Sequence, residues 1–368
     1  MSHSTTVVGF DVAKDSIVAA VLEPEARHFA LTTKFANEPA EIRRFVHRLS
    51  RFGALEFVYE AGPCGYQIHR QLTELGQPCT VIAPGLTPRK PGDLVKTDRR
   101  DAEKLAQLHR AGQLTPIRVP TREEEAVRDV TRVREDALVD RLRARQRLSN
   151  FLMRQGLVWR EKSKKWGSKH LEWLKRQRFD LAPLERSFEG YLRALEEAEA
   201  RLADLERQVL ELAEQPALRE LVRRLCCLKG IDTLSAVTIA VEAQDFRRFP
   251  TAREFMGYTG MVSREYSSGD QVRRGSITRV GNAHVRRILV ESAWAYSRTA
   301  TKTGPALARR RKGCAPEALA IGWKAQERLS RKFRRLEGRG KARQVAVVSV
   351  ARELAGFVWA MARTVAGE

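Results

Sequence analysis

The chain is short of cysteine, of long apolar runs, and of any glycine-rich phosphate loop behind its first strand. Five cysteines (Cys64, Cys79, Cys226, Cys227 and Cys314) stand among 368 residues, with no CxxC pair and no histidine at zinc-ligand spacing. That excludes a disulfide framework or a zinc ribbon and reads as reduced thiols of a cytoplasmic protein. No apolar run reaches membrane-spanning length, and Met1 to Thr6 carries no signal-peptide pattern, so a soluble chain without membrane attachment is expected. Negative charge is also scarce. Lys and Arg number 67 against 45 acidic residues, a formal net charge of +22. Such an excess points to nucleic acid, because each phosphate neutralised releases condensed counterions. The alternative is a solvated basic surface drawn from an arginine-rich genome. Hydrophobic residues reach 43%, enough for real cores, and the length fits two or three compact units.

What is present begins as strands. Thr6 to Phe10 is apolar and ends at Asp11, Ala13-Lys14-Asp15 turns, Ser16 to Leu22 returns, and His28 to Phe35 reads as a third strand. Asn37 is placed to cap a helix with Pro39 in its first turn. Leu55 to Tyr59 is a further strand ended by Glu60. A helix carries Tyr66 to Leu75, Cys79 to Ala83 is the next strand, and Thr97 opens a helix after the loop from Pro84 to Lys96. Three antiparallel strands followed by helix–strand alternation permit an RNase H-like α/β fold. From Thr121 to Leu157 the chain is charged and helical. Phe188, Tyr191, Leu195, Ala198, Leu202, Leu205, Val209 and Leu212 then step by three and four, a coiled-coil seam for oligomerisation or an intramolecular helical pair. Pro216 closes that helix. Beyond it, Leu228-Lys229-Gly230-Ile231-Asp232 has the form of a helix-hairpin-helix turn offering backbone amides to a phosphate. The tail adds two helical stretches, Ala318 to Leu336 and Val345 to Ala362. On the first, Arg328, Arg331, Lys332, Arg334 and Arg335 form a basic face for a nucleic-acid backbone or for solvent.

Phosphodiester chemistry on divalent metal, Mg²⁺ or Mn²⁺, needs carboxylates converging from several elements. Asp11 and Glu60 end neighbouring strands, and Asp98 and Asp101 share a face at the start of one helix. Lys96, Arg99 and Arg100 surround the last pair as candidate phosphate contacts. Individually the acids have plainer readings: Asp98 and Asp101 complement a helix dipole, Asp11 sits in a turn, and Glu60 lies at the surface before Gly-Pro. Sugar kinases and actin-like ATPases also begin with a strand ending in aspartate, but need a glycine-rich hairpin after it. Val12-Ala13-Lys14-Asp15 supplies none.

Several of these stretches resemble one family. Val8-Gly9-Phe10-Asp11-Val12-Ala13-Lys14, Tyr59-Glu60-Ala61 and Lys96-Thr97-Asp98-Arg99-Arg100-Asp101-Ala102 are similar to segments of the DEDD-type insertion-sequence transposases. So are Phe255-Met256-Gly257-Tyr258-Thr259-Gly260, Ser268-Gly269, and Gly275-Ser276-Ile277-Thr278-Arg279-Val280-Gly281-Asn282. The resemblance covers nearly the whole chain. It implies a RuvC-like domain (1–155), a coiled-coil linker (156–215) and a mostly helical transposase domain (216–368). It further implies a multimeric recombinase, dimer or tetramer, guided by a structured noncoding bridge RNA that pairs with donor and target DNA. In such enzymes the acid site, here Asp11, Glu60, Asp98 and Asp101, and a C-terminal serine, here Ser268, form a composite active site. The serine forms a covalent 5′-phosphoserine link.

The residues themselves make a thinner case for that serine. Tyr266-Ser267-Ser268-Gly269-Asp270 is a polar turn with Arg264, Arg273, Arg274 and Arg279 in its neighbourhood to hold phosphate, or an ordinary surface loop. Two positions depart from the family pattern: Ser263 stands where proline is frequent, and Ser267 where glutamine is, which makes Ser267 a competing nucleophile. Lys229 is a further candidate phosphate contact. Trp159, Trp166 and Trp173 could stack on bases, with packing favoured for at least two of them. Two other functions stay open: a RuvC-like nuclease that needs no serine, and a non-catalytic nucleic-acid-binding scaffold.

Overall fold

The computed structural model describes residues 5–88, 97–298 and 303–365. It divides into two compact units, 1–121 and 122–368.

The first unit is a five-stranded sheet with helices on both faces. Its elements are β1 (Thr6–Val12), β2 (Ser16–Leu22), β3 (Leu31–Ala36), α1 (Pro39–Arg48), β4 (Leu55–Glu60), α2 (Gln67–Glu74), β5 (Cys79–Ile82) and α3 (Asp98–Arg110). The strand order is β3-β2-β1-β4-β5; β1 to β3 pair antiparallel, and β1, β4 and β5 pair parallel. Alternation along β1 sorts its side chains. Val8 and Phe10 join Ile42, Phe45, Ile68 and Leu72 in the core under α1 and α2, while Val7 faces Leu105 and Ala106 of α3. Two expectations shift by local detail. The third strand begins at Leu31, not His28. Asn37 does not cap α1: its Nδ2 donates to Ala13 O at 2.9 Å, tying the β1–β2 turn, and Glu38 takes the cap position without a side-chain bond.

The second unit is helical, with one small hairpin. It comprises α4 (Arg122–Arg154), α5 (Ser168–Lys175), α6 (Ala182–Ala213), α7 (Pro216–Leu225), α8 (Thr233–Ala243), α9 (Ala252–Tyr258), β6 (Ser263–Glu265), β7 (Arg274–Ile277), α10 (Ala283–Ala293), α11 (Pro305–Arg311), α12 (Pro316–Gly338) and α13 (Arg343–Val365). The apolar seam of α6 is buried along α4 of the same chain, with Leu202 and Leu205 against Ala137 and Phe188 and Leu195 against Leu148 and Phe151. Arg145 pairs with Glu199 at 2.6 Å and Arg134 with Glu206 along the same contact. Compact packing therefore groups α4 with the second unit, where the reading by sequence placed it with the first as far as residue 155. Pro216 does not close α6, which ends at Ala213; it occupies the first turn of α7. Trp159, Trp166 and Trp173 pack around the buried His170, with ring centroids 5.1, 4.8 and 5.5 Å from it. α13 is long and apolar enough, by length and composition, to cross a membrane, contrary to expectation. In the fold it is a core helix whose Val350, Leu354, Val358 and Met361 are buried.

Candidate active site

Gly9 decides where the acids stand. A Cβ built on it would penetrate the carbonyl oxygen of Ala102 and lie 2.8 Å from Ala106 N, so α3 rests directly on the backbone of β1. Only a residue without a side chain allows that approach. A second anchor lies at the other end of the helix. His109 Nε2 is 2.8 Å from Glu56 Oε1, off the line of a well-formed hydrogen bond but within ion-pair distance. Because His109 meets the start of β4 and Ala102–Ala106 meets the middle of β1, α3 runs antiparallel to both strands. From Glu56 to Glu60 is about 13 Å of strand, and from His109 back to Asp98 about 16 Å of helix. The first turn of α3 thus arrives at the strand ends that carry Asp11 and Glu60.

Those two share a face. β1 and β4 pair with Gly9 opposite Val58 and Phe10 opposite Tyr59; one step further sets Asp11 beside Glu60. Both follow their α3-facing neighbours by two residues, so they point to α3. Thr97 starts that helix by accepting from Arg100 N at 3.3 Å, and Asp98 and Asp101 fall in its first turn, favoured there by the helix dipole as well. Thr87, which sequence reading missed, donates its hydroxyl to Glu60 Oε1 at 2.7 Å and orients that carboxylate.

The donor set is all carboxylate, the chemistry that suits a hard divalent cation. The side chains share one end and one face of the unit without closing on one another: among the described residues no three His, Cys, Asp or Glu side chains stand within metal-holding reach. Asp11 and Asp101 are each engaged inside the chain. Arg99 is exposed and pairs with Glu103 at 2.8 Å. Lys96 lies outside the described residues.

Ser268 lies in the second unit, at the turn of the β6–β7 hairpin. Ser268 and Gln271 exchange backbone hydrogen bonds, both 3.2 Å, and Gly269 between them takes φ +54°, as a tight two-residue turn requires at its first central position. Ser267 and Ser268 differ in what holds them. The Ser267 hydroxyl donates to Glu265 Oε1 at 2.9 Å and accepts from Arg273 N at 3.3 Å. The Ser268 hydroxyl is exposed and makes no bond to a described residue. Arg274 pairs with Glu265 at 3.2 Å, and that ion pair, after the Ser267 hydroxyl, holds the Glu265 carboxyl below its ordinary value. Arg273 is bonded to Gln271, and Arg264 forms no ion pair with a described residue.

The foot of the hairpin is built into the helical core. Thr278 N donates to Val262 O and Arg279 N to Gly260 O. Arg279 itself takes φ +59°, and Gly260, Gly281 and Asn282 carry the chain into α10. Asn282 caps α10 through Oδ1, while its Nδ2 donates to Glu242 Oε2 at 2.7 Å. Glu242, buried on α8, receives Arg132 of α4 in a fork at 2.8 and 3.1 Å, and its backbone carbonyl accepts Tyr258 Oη at 2.7 Å. One turn further along α4, Glu135 meets both His284 and Arg287. No spacing in the sequence marks this network.

Burial alone would raise the Glu242 carboxyl; the Arg132 guanidinium and the Asn282 amide overcome it and hold the carboxyl below its ordinary value. A depressed carboxylate stabilises the fold above its unfolded pKa of about 4.3, and that stability is lost as pH falls through the lower folded value. Glu242→Gln is therefore expected to lower stability at pH 7 by roughly 2–3 kcal/mol, short of a fully buried pair because Arg132 is 40% exposed. The variant should also flatten the loss of stability below pH 5. Denaturant melts at pH 7, 5 and 3.5 check both; an acid limb as steep as the wild type's would contradict the assignment.

Residues 8–155 match a family model for the DEDD-type IS110 transposase, and residues 222–308 match the model described as "Transposase IS116/IS110/IS902 family". A Sinorhizobium fredii chain named as a transposase, y4qE, is 40% identical over 97% of this chain and 88% of its own length. The transposase for insertion sequence element IS1533 of Leptospira borgpetersenii is 32% identical over 91% of this chain and 97% of its own. A family 20 transposase of Pseudomonas aeruginosa is 29% identical over 79% and 84%.

Proposed function

This chain belongs to the IS116/IS110/IS902 transposase family, and from that premise we propose that it is the recombinase of an insertion sequence, breaking and rejoining DNA with a serine nucleophile and a metal-binding carboxylate set. The observation that carries the proposal is the approach of α3 to Gly9, which brings Asp98 and Asp101 to the strand ends of Asp11 and Glu60. The strand order β3-β2-β1-β4-β5 supports reading the first unit as RNase H-like, with the acids at the strand ends where that fold carries its chemistry. The α4–α6 pair supports reading the helical hairpin as a coiled coil formed within one chain; the joining of copies rests on the family reading alone.

In this reading Asp11, Glu60, Asp98 and Asp101 would hold Mg²⁺ or Mn²⁺, and the Thr87 hydroxyl, by donating to Glu60 Oε1, would orient that carboxylate. Bound metal supplies charge neutralisation for a phosphoryl transfer. Ser268 Oγ attacks phosphorus: the Oγ–P bond forms, the P–O3′ bond breaks, the serine proton goes to water, and the 3′ oxygen leaves as a hydroxyl once protonated. A 3′ hydroxyl of the partner strand later attacks the phosphoserine and frees Ser268. The free hydroxyl at the turn favours Ser268 over Ser267, whose hydroxyl is committed to Glu265. Target choice is assigned to a structured guide RNA of the element, in keeping with the charge of +22.

The test is metal binding read without activity. Mn²⁺ titrated into the full chain should show saturable binding by calorimetry, and Asp11→Asn with Glu60→Gln should weaken it about tenfold or more, as loss of ligand charge does. Binding unchanged in that double variant would sink the carboxylate assignment.

A further inference from the structure

The stretch from Arg154 to Arg178, which leads from α4 through α5 towards α6, carries nine lysines and arginines against two acids, Glu161 and Glu172. All nine cations are exposed, and none forms an ion pair with a described residue. The body of the same helical hairpin is different: there Arg134 and Arg145 are matched by Glu206 and Glu199. The turn from Leu228 to Asp232, the sequence's other candidate for phosphate, differs as well. A Cβ on Gly230 would run into Ser292 O of α10, so packing closes that side, and Lys229 is engaged within the chain.

Among the nine free cations opens a cavity of about 220 Å³. Trp159, Trp173 and His170 give it aromatic walls; Ser149 and Asn150 of α4 and Lys165 of the connector give it polar ones. Trp159 and Trp173 are half-buried, their ring centroids 5.5 Å apart and their planes at 58°. Packing on His170 thus uses part of each indole, and the cavity takes another part. Trp166 has a plainer role, with Arg145 and Lys165 over its ring at 5.0 and 5.6 Å.

The polar groups of the cavity are unsatisfied. The Ser149 hydroxyl and the Asn150 amide bond to no described residue. His170 is 2% exposed, and its Nδ1 is buried without a hydrogen-bond partner. Burial, then Lys165 and Arg145, hold the imidazole below its ordinary pKa, so the ring is uncharged at pH 7. A purely apolar ligand would leave these groups unmet, at the cost of an unpaired buried polar atom. A bare phosphate would make no use of the indoles. A flat heterocycle with polar edges, tethered to phosphates on both sides, uses the aromatic walls, the polar groups and the cations together.

We propose that this cavity takes the base of one unpaired nucleotide in a single-stranded nucleic acid. Trp159 and Trp173 contact its face, Ser149, Asn150 and His170 offer hydrogen bonds to its edge, and the surrounding lysines and arginines meet the flanking phosphates. The site contains neither Ser268 nor the carboxylates, so its failure leaves the recombinase reading standing.

Two short strands of equal length and charge isolate the pocket: one fully abasic, one abasic except for a single central adenine or uracil. Each is made on a ribose and on a deoxyribose backbone, and binding to the full chain is followed by fluorescence anisotropy. The single base should tighten binding about fivefold or more, the scale of one base stacked on an aromatic side chain. Trp159→Leu should cut that gain to under about twofold. Asn150→Ala, at an exposed position of α4, should at least halve it, and it keeps the test decisive should melts show Trp159→Leu unfolded. Lys162→Ala combined with Lys164→Ala should weaken both strands alike and leave the gain in place, because phosphate contacts do not read the base. A gain confined to ribose identifies RNA as the partner, one confined to deoxyribose identifies DNA, and equal gains mean that the pocket accepts either. No gain with adenine or uracil in the wild type, or a gain undiminished in every folded variant of Trp159 and Asn150, overturns the proposal. Equal affinity of the double lysine variant for both strands, relative to wild type, removes the phosphate half of it.

Discussion

Ser268→Ala is expected to abolish the covalent protein–DNA product and to lower strand exchange by about 10³-fold or more, the scale on which a missing nucleophile acts. Folding should be untouched. The Ser268 side chain is exposed and bonds to no described residue, while the turn is held by the backbone exchange with Gln271 and by Gly269. The Tm should therefore stay within about 1 °C, because surface substitutions of this kind cost under 0.5 kcal/mol. Ser267→Ala supplies the contrast. It removes the bond to Glu265 and the acceptor for Arg273 N, loosening the hairpin, and should reduce exchange without removing the adduct. A suicide DNA substrate followed on denaturing gels separates the two. An adduct that persists in Ser268→Ala and vanishes in Ser267→Ala would transfer the role to Ser267; adducts in neither the wild type nor the variants would favour hydrolytic cleavage without a serine.

The second large effect concerns a residue with no functional group. Gly9→Ala should cost the first unit about 3 kcal/mol or more, at the upper end of overpacking, because the added methyl meets the backbone of α3 at Ala102 and Ala106 and cannot be relieved by a side-chain rotation. For a unit of this size that is a fall in Tm of roughly 10 °C. Activity should suffer more than stability. To admit the methyl, α3 must lift from β1, and its first turn carries Asp98 and Asp101 away from Asp11 and Glu60. Exchange measured well below the lowered Tm is thus expected to fall by about 10²-fold, since misplacement near 1 Å has that cost. An alanine variant with wild-type melting would mean that α3 does not sit on β1 as described.

These two residues also mark how much was readable beforehand. The strand ends at Asp11 and Glu60, the Thr97 cap with its two acids, and the seam from Phe188 to Leu212 are local patterns of period two or of three and four. Each appears in the fold near where the pattern put it. Gly9 was legible only as part of a motif, because its role depends on a helix some 90 positions away. The same holds for Glu242, which joins Arg132 and Asn282 across gaps of 110 and 40 residues. Hydrophobic periodicity reports which face of an element is covered, not what covers it. The basic face on α12 shows the converse error: Arg328 and Lys332 turn to Glu353 of α13, so part of a face that looked free for nucleic acid is spent inside the fold.

The clamp of α4 has a mechanical meaning. Arg132 and Glu135 pin the first third of the helix to α8 and α10, and about 28 Å of it then runs on beyond Glu135. α4 is a beam held near one end. A load applied at the far end is borne at the pins, and one pin shares Glu242 with Asn282, the residue that starts α10 at the foot of the serine hairpin. Whatever grips the tip of the α4–α6 pair therefore has leverage on the mounting of Ser268, at a distance and without touching it.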